Sequence, residues 1–560
     1  MTSTNAEIAE ILTQHADLME IAGENRFRIG AYRRAARAIK SHERAVADEP
    51  DLTDIEGVGA GIAAVVQEIL DSGQYSEFED LQEALPGSLL TMLDIPGLGA
   101  KRVHRFYQEL NITSVGELEE AANSQRLREL KGIGPKAEEQ ILEGIAFLRT
   151  RTDRYSIGLG LPLAERLKDR IATKTGARVE VAGSVRRMAE TVGDINLLVV
   201  ADNAASIIGA IEDLDEVAGV VSTDDDRATY KLHPGPELRV FIAPSDRAGS
   251  AWIEATGSSA HLEALGGASA LQAAASEEEC YAALGLEWVP PELREDAGEL
   301  DAAREGRLPR LIQLSDIRGD LHLHSTWSDG SGSIMDMARA AATIGYEYLA
   351  ICDHSGGLGI ANGLNAERLA EQRTEIESLR GEAPVHLLAG SEVEVHRDGR
   401  LDFDDDVLAG LDLVVASLHS GIRQDRDTIT ARICQTLANP NVDIVAHPTG
   451  RLIERRQGAD YDWPAVYEAA KASWTALEIN ADSARLDMRE GHARQAFASG
   501  CLISIDSDAH HPESLANMRY GIGIARRAWV EPDQVVNTWP LDELVQWLAD
   551  RRLPGRIRES

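Results

Sequence analysis

Apolar and polar positions change their pattern along this chain. From about Ile317 onward, short apolar runs alternate with stretches in which apolar residues have helical spacing. This alternation is typical of parallel β-strand and α-helix units. Seven runs are predicted as strands, and each ends in polar side chains: residues 320–324, 349–354, 387–392, 413–419, 444–447, 477–480 and 502–510. If these strands form a barrel, their C-terminal ends meet on one face.

The N-terminal part has a helical pattern that the sequence apolar-x-Gly-apolar-Gly interrupts three times, at residues 55–59, 95–99 and 130–134. Glycines permit the tight turn of a helix–hairpin–helix element, and the N–H groups that start the next helix can bind a phosphate. One such segment is most often an ordinary turn, but three predict binding to the backbone of DNA. The residues predicted to bind are Gly57, Gly59, Gly97, Gly99, Lys101, Arg102, Gly132, Gly134 and Lys136.

The net charge is strongly negative, because 93 acidic residues stand against 56 basic residues, which gives a formal −37. In most proteins this balance argues against a polyanionic partner. Lysine is rare here and the acids are spread along the chain, which suits a protein in concentrated salt; an ordinary acidic surface is the alternative. The three hairpins outweigh the net charge as evidence for a DNA partner.

The sequence also predicts where the protein works. Its four cysteines lie far apart, which indicates neither a disulfide framework nor a thiolate zinc site. The N-terminus is acidic where a signal peptide needs a basic flank, and no apolar run reaches membrane-spanning length. We expect a cytoplasmic monomer with no membrane partner.

The polar ends of the predicted strands carry residues that bind divalent metals. A single histidine there is more often a packed side chain than a ligand. Six imidazoles with three carboxylates, however, exceed what one ion binds, and predict two or three Mn²⁺, Zn²⁺ or Fe²⁺ ions. The predicted ligands are His322, His324, Asp329, His354, Glu392, His419, His447, Asp508 and His510.

Such a centre indicates phosphoester hydrolysis. We predict catalytic roles for Glu392, as a bridging carboxylate, and for Asp508. Arg451, four residues after His447, is predicted to hold a phosphate oxygen, and a surface salt bridge is an equally good interpretation of it.

The strand-end motifs closely resemble the polymerase and histidinol phosphatase (PHP) domain, and all nine ligand positions match. Residues 25–39 and the hairpins resemble the N-terminal part of family X DNA polymerases, and residues 179–200 resemble their nucleotidyltransferase signature. The resemblance implies a multidomain protein. Its expected parts are an 8-kDa-like helical domain (1–75), a fingers-like helical domain (76–150), an α+β palm- and thumb-like domain (151–290), a Pro-rich acidic linker (291–316) and a PHP domain (317–560) built as a distorted seven-stranded β/α barrel.

The nucleotidyltransferase signature departs from its family. The resemblance implies that a nucleotide's phosphates are bound by Gly183, Ser184, Arg187 and Gly193. Of three metal-binding aspartates in the family, this chain has Asp194, with Asn196 and Glu237 in the other two places. An amide cannot bridge two cations with charge, so we expect synthesis to be weak or absent. Mg²⁺ or Mn²⁺ and a dNTP are expected there only if the site is active. Lyase activity is not expected, because the helix after the first hairpin has no lysine.

The resemblance implies a manganese-stimulated 3′–5′ exonuclease of DNA repair, with cleavage at abasic sites in some relatives. The expected substrate is DNA with gaps, nicks or single-stranded ends. Two alternatives stay open: an active gap-filling DNA polymerase, and a small-molecule phosphatase such as one that acts on histidinol phosphate. A non-catalytic DNA-binding scaffold is a weaker third.

Overall fold

The computed structural model describes residues 5–551, apart from 41, 43, 56, 73–74, 76, 79–80, 82–84, 86–87, 94, 96, 151–153, 234, 358–360 and 454. Two hairpin residues, Glu56 and Pro96, lie outside the described residues. So do the predicted domain ends at residues 1, 76, 151 and 560. The chain divides into two compact units, Met1–Thr152 and Asp153–Ser560. No helix in the described ranges is long and apolar enough to cross a membrane.

The first unit is helical. Its described helices are α1 (Asn5–Ala22), α2 (Arg26–Lys40), α3 (Ala60–Ser72), α4 (Ser88–Leu93), α5 (Ala100–Leu110), α6 (Val115–Asn123) and α7 (Pro135–Thr150). Apolar side chains form two cores. One lies among α1, α2 and α3, and the other among α4 to α7 with Ile21 of α1.

The three Gly-rich segments are tight turns before α3, α5 and α7. Gly57, Gly97 and Gly132 have φ angles of +93°, +81° and +88°, which lie in the left-handed region that favours glycine. In each turn the second apolar residue donates its N–H to the first: Val58 to Ile55, Leu98 to Ile95 and Ile133 to Leu130, at 3.0, 3.0 and 3.1 Å. These six apolar side chains are buried, and Lys101, Arg102 and Lys136 are exposed on the helices that follow. The predicted helix–hairpin–helix geometry is present at all three places.

The second unit begins with a mixed α/β part. Its strands are β1 (Tyr155–Ser156), β2 (Arg178–Ala182), β3 (Thr191–Val192), β4 (Asp194–Val200), β5 (Val217–Thr223), β6 (Arg227–Leu232) and β7 (Glu237–Ala243). Its helices are α8 (Ile157–Thr175), α9 (Gly183–Arg186), α10 (Ala204–Glu212), α11 (Ala248–Thr256), α12 (Ser259–Ala264), α13 (Glu277–Ala283) and α14 (Glu299–Arg304). The main sheet has the order β2-β4-β7-β6-β5, and only β4 and β7 are parallel.

A parallel barrel follows. Its strands are β8 (Gly319–Leu323), β9 (Tyr348–Ile351), β10 (His386–Glu394), β11 (Leu413–Ser417), β12 (Ile444–Val445), β13 (Ala476–Asn480) and β14 (Ile503–Asp506). Its helices are α15 (Ile334–Thr343), α16 (Ala366–Leu379), α17 (Asp405–Leu408), α18 (Arg426–Leu437), α19 (Trp463–Ser473), α20 (Glu490–Ala498), α21 (Met518–Arg527) and α22 (Leu541–Arg551). The strands pair in chain order and are almost entirely buried, as parallel strands covered by helices are.

The first and last strands of the barrel meet just beyond their C-terminal ends. The N–H of His324 donates to the carbonyl of Ala509 at 2.9 Å, and that of Asp508 donates to the carbonyl of His322 at 3.0 Å. The sheet is therefore nearly closed. The prediction of a seven-stranded β/α barrel is confirmed, with all seven runs as strands.

The segment at 291–316, which its composition marks as a linker, is folded. It contains α14, and the side chain of Arg294 is fully buried. Arg294 donates to both oxygens of Glu277, at 2.7 and 2.9 Å, and Arg186 donates to the same two oxygens at 2.7 and 2.8 Å. Local composition could not reveal this packing, because two of the three charged partners lie outside the segment.

Ion pairs connect the mixed α/β part to the barrel within the second unit. Three carboxylates of the mixed α/β part form ion pairs with guanidinium groups of the barrel. The pairs are Glu190–Arg451 at 2.7 Å, Glu292–Arg526 at 2.7 Å and Glu295–Arg527 at 2.8 Å. All six side chains are at most partly exposed, so solvent screens these pairs less than surface pairs.

We expect Glu277→Gln to lower the free energy of unfolding at neutral pH by about 3–5 kcal/mol, because two buried guanidinium groups lose their charged partner. Burial opposes the charge of Glu277, but hydrogen bonds from Arg294 and Arg186 outweigh it and lower its pKa to about 2. The contribution is therefore complete above the ordinary pKa of a glutamate and declines as the pH falls toward 2.

Urea unfolding followed by tryptophan fluorescence, between pH 7 and 3, measures the difference between the wild type and this variant. Glu278→Gln, at the exposed neighbouring position, is the control and should change little. A deficit that stays constant down to pH 3 would contradict the assigned role of the charged pair.

Candidate metal centre

The nine predicted ligands lie at or just beyond the C-terminal ends of the barrel strands. His322 lies on β8 and Glu392 on β10, and the other seven lie in the connections that follow strands. Barrel closure brings the β8 end next to Asp508 and His510, which are more than 180 residues away. His447 and Asp508 have positive φ angles, +28° and +52°. Such angles are uncommon for residues other than glycine, and strained residues of this kind cluster at functional sites.

Eight of the nine residues form three groups whose ligand atoms lie within 4.8 Å of one another. The groups are His324, Asp329, His354 and His510; His322, His324 and Asp508; and His354, Glu392 and His419. His324 and His354 each belong to two groups. The ninth residue, His447, contacts Glu392, with 2.9 Å between its Nε2 and Oε1. This arrangement suits two or three ions with shared ligands.

Charges in the centre balance one another. Burial opposes ionisation of Glu392, but His354, His419 and His322 outweigh it and hold the pKa of this carboxyl well below its usual range. Burial also opposes protonation of His354, but nearby Glu392 and Asp329 raise its pKa to about 10. At His324, burial and repulsion from two other imidazoles lower the pKa to about 3. The centre therefore offers both anionic oxygens and a neutral imidazole.

Unsatisfied atoms indicate that the residues fit divalent ions. Within the described residues, four buried atoms of the centre make no hydrogen bond: Nε2 of His322, Nδ1 of His324, Oε2 of Glu392 and Nδ1 of His447. A buried polar atom without a partner costs about 1–3 kcal/mol. Nitrogen and carboxylate donors without thiolate are the ligand set of Mn²⁺, Zn²⁺ and Fe²⁺.

Two carboxylates that were not predicted orient the ligands. Glu478 on β13 lies 2.7 Å from Nδ1 of His322, and Glu394 on β10 lies 2.8 Å from Nδ1 of His419. A carboxylate on one ring nitrogen directs the other toward the metal. Each lies in a buried strand, and an acidic residue within an apolar run is a sequence signal that could have identified them.

Asp353 holds the loop that carries Asp329. Its carboxylate accepts hydrogen bonds from the N–H and hydroxyl of Ser325, at 2.8 and 2.6 Å, and from the N–H of Ser328 at 3.1 Å. Asp353 is fully buried, although its neighbour His354 is the ligand. Its role was not predicted, because the sequence Cys-Asp-His gives no indication of what the aspartate contacts.

The guanidinium of Arg451 is bound by other residues of the fold. Its guanidinium donates to Glu190 at 2.7 Å and to the carbonyl of Arg485 at 2.8 Å. The side chain of Arg451 is largely buried in this salt bridge, unlike the surface pair of the alternative interpretation, and phosphate binding by Arg451 stays a prediction. Arg485 lies closer to the ligands, with 3.6 Å between its Nε and Oδ2 of Asp508, and was missed because it lies on no predicted strand.

The predicted nucleotidyltransferase residues form a second group, on the parallel pair β4 and β7. Asp194 pairs with Glu237, and Asn196 pairs with Arg239. Both oxygens of Asp194 are engaged: one accepts from Asn196 at 2.9 Å, and the other lies 2.9 Å from Arg239. Arg239, which was not predicted, also lies 3.7 Å from Glu237. A guanidinium thus lies between the two carboxylates where the resemblance implies metal ions.

Two of the predicted phosphate-binding residues, Gly183 and Arg187, pack against or bind other residues of the fold. Gly183 has a φ of +65°, and a side chain there would collide with Asn196. Arg187 donates to Glu295 at 2.8 Å and to the carbonyl of Thr256 at 2.7 Å. Ser184 and Gly193 lie at the two ends of the turn between β2 and β4.

Family comparisons match three parts of the chain. A helix–hairpin–helix domain matches residues 3–75, and a SAM-like helix–hairpin–helix tandem matches residues 48–111 and 89–146. The PHP domain matches residues 320–477, which include seven of the nine predicted ligands.

Curated relatives extend this likeness. The DNA polymerase/3′–5′ exonuclease PolX of Bacillus subtilis (strain 168) is 36% identical, over 97% of this chain and 99% of that protein. A probable phosphatase of Thermoanaerobacter sp. (strain X514) is 27% identical over 42% of this chain and 95% of its own length. The probable phosphatase YcdX of Shigella dysenteriae serotype 1 is 28% identical over 41% of this chain and 94% of its own length.

We expect the purified chain to bind two or three Mn²⁺ ions and Glu392→Gln to bind at least one fewer, because this carboxylate lies among His354, His419 and His447. Inductively coupled plasma mass spectrometry after dialysis against Mn²⁺ measures the stoichiometry. Glu367→Gln, an exposed residue of α16, should retain the full number. Equal stoichiometry in the two variants would refute the assignment of Glu392 as a ligand.

Proposed function

Because this chain belongs to the PolX family, we propose that it is a DNA-processing enzyme that hydrolyses phosphodiesters as a 3′–5′ exonuclease at the PHP centre. The proposal rests on one observation above all, namely the three overlapping groups of mostly buried candidate ligands at the strand ends. The hairpins support DNA as the substrate. The second and third hairpins have exposed cations just after their Gly-rich turns, and the first hairpin follows the basic helix α2.

The chain's residues would hold the metals through His322, His324, Asp329, His354, Glu392, His419, Asp508 and His510, with His447 beside them. When bound, divalent ions at such a site activate water for attack on phosphorus and balance the charge of the phosphate. Glu394 and Glu478 keep the imidazoles of His419 and His322 in place. Asp353 holds the loop that carries Asp329 through the N–H groups of Ser325 and Ser328.

We further propose Mn²⁺ as the metal, DNA gaps, nicks or single-stranded ends as substrates, and a role in DNA repair that includes cleavage at abasic sites. The formal charge of −37 supports activity in concentrated salt. These assignments extend the function of the family to this chain.

DNA synthesis is proposed to be absent. Two-metal phosphoryl transfer needs several anionic oxygens free to bind cations. Here Asn196 contributes no charge, and Arg239 already occupies one oxygen of Asp194. A cation that is part of the fold repels further cations at the same carboxylates. The mixed α/β part would then hold the DNA and a dNTP would not be a substrate.

Hydrolysis of small phosphomonoesters is a second candidate function. It is favoured by the two probable phosphatases, whose likeness covers about two fifths of this chain. The same ligands would serve both reactions, and the hairpins favour the nuclease.

Full-length protein with Mn²⁺ in molar salt should shorten a labelled single-stranded or gapped DNA from its 3′ end. His322→Ala with His324→Ala should lower the rate at least about 100-fold, because two of the three ligand groups lose members. His233→Ala with His386→Ala, both exposed, should leave the rate unchanged. Denaturing gels with a 5′ label measure the rate. The phosphatase candidate gains if p-nitrophenyl phosphate is hydrolysed and DNA is not.

Primer extension on a one-nucleotide gap tests the second site. The wild type and Asn196→Asp should add no nucleotide with Mg²⁺ or Mn²⁺, because Arg239 still pairs with Asp194. Asn196→Asp with Arg239→Asp should produce measurable addition, since it places a carboxylate at both positions. Extension by the wild type would overturn the proposed loss of synthesis.

A further inference from the structure

A guanidinium beside the metal ligands has an unused donor. Arg485 lies in the loop after β13, with its Nε 3.6 Å from Oδ2 of Asp508. Its Nη1 is buried and, among the described residues, makes no hydrogen bond. Leaving such a donor without an acceptor costs about 1–3 kcal/mol, and more for a charged group. An acceptor supplied by a ligand would remove that cost.

The contact with Asp508 does not account for this guanidinium. Oδ1 of Asp508 lies 3.1 Å from His324, and Oδ2 accepts from Asn480 at 3.1 Å. Burial lowers the pKa of Arg485, but Asp508, Glu392, Asp482 and Asp487 outweigh it and raise that pKa, so carboxylates already stabilise its charge. None of them accepts a hydrogen bond from Nη1, and a phosphate oxygen is a suitable acceptor for it.

Arg456 and Arg423 add positive charge near Arg485. Arg456 donates through Nε to the carbonyl of Gly450 at 2.8 Å, three residues after His447. Burial lowers the pKa of Arg456, the charges of Arg485 and Arg423 lower it further, and Asp487 opposes this shift. In a protein with a net charge of −37, a group of like cations beside a metal centre indicates a polyanionic ligand.

The loop of Arg485 is anchored from the mixed α/β part of the second unit. Arg451 donates to the carbonyl of Arg485 at 2.8 Å and to Glu190 at 2.7 Å, so its charge is already paired. Thr449 donates to Asp487 through its N–H at 3.0 Å and its hydroxyl at 2.8 Å. Arg451 therefore has a positioning role, and Arg485 is left as the donor that faces the ligands.

We propose that Arg485 binds the phosphate of the substrate at the PHP centre. This assignment rests on the proposed function, because it takes the phosphodiester of DNA as the substrate. Arg485 would then be a substrate-binding residue, and the Glu190–Arg451 pair would keep its loop in place.

The first experiment measures phosphate binding directly. Isothermal titration calorimetry with inorganic phosphate, on the full Mn²⁺-loaded chain, should give a Kd for Arg485→Gln that is about 10- to 100-fold weaker than that of the wild type. Arg485→Lys should recover part of the affinity, because it keeps the charge but not the planar fork. Arg339→Gln, an exposed residue of α15 paired with Asp336, is the matched control and should bind as the wild type does.

The second experiment separates substrate binding from metal binding. With bis(p-nitrophenyl) phosphate, which is too small to need the hairpins, Arg485→Gln should raise KM at least about tenfold, while Mn²⁺ content and Tm stay at wild-type values. Unchanged phosphate affinity, or a loss of Mn²⁺ from this variant, would overturn the assignment. If the wild type fails to shorten DNA, the proposed function fails, whereas the phosphate titration still decides the role of Arg485.

Discussion

Two backbone hydrogen bonds between the first and last strands of the barrel determine whether this protein has a metal centre. They run from His324 to Ala509 and from Asp508 to His322, and they place the end of β8 beside the end of β14. The nine ligands come from the ends of six strands, with none from β13, so no group of ligands is complete without residues from at least two strand ends. A shift of one residue in a strand would turn its ligands away from the centre. Ligand geometry is therefore a property of the closed sheet.

The carboxylates inside the barrel have two structural roles. Glu392, at the centre, faces imidazoles and retains an oxygen without a hydrogen bond. Those behind it, such as Glu478 and Asp353, are used entirely in holding rings and loops. Burial makes both kinds costly unless each is paired. This requirement explains why so many ionisable groups are confined to one end of the barrel and point at one another.

The two sites of the second unit differ in how their carboxylates are balanced. At the barrel, imidazoles balance the carboxylates, and an imidazole can lose its proton so that a divalent ion takes its place. On β4 and β7, a guanidinium that never loses its proton stays beside Asp194. The ion pairs Glu190–Arg451 and Glu295–Arg527 join the two parts, and Arg187 of the nucleotidyltransferase turn shares Glu295 with the barrel. The altered site therefore contributes to holding the barrel's loops.

The sequence alone determined the seven strands and the three hairpins and predicted a ligand set, because strand ends, glycine spacing and residue type are local properties of the chain. It did not determine that Arg239 lies opposite Asn196, that Arg451 is bound by Glu190, or that residues 291–316 are folded around Arg294. Each of these depends on a partner that lies far away in sequence or on another strand. Long-range pairing is decided by packing and burial, which one-dimensional spacing does not record, so the meeting of the candidate ligands was predictable and the partner of each arginine was not.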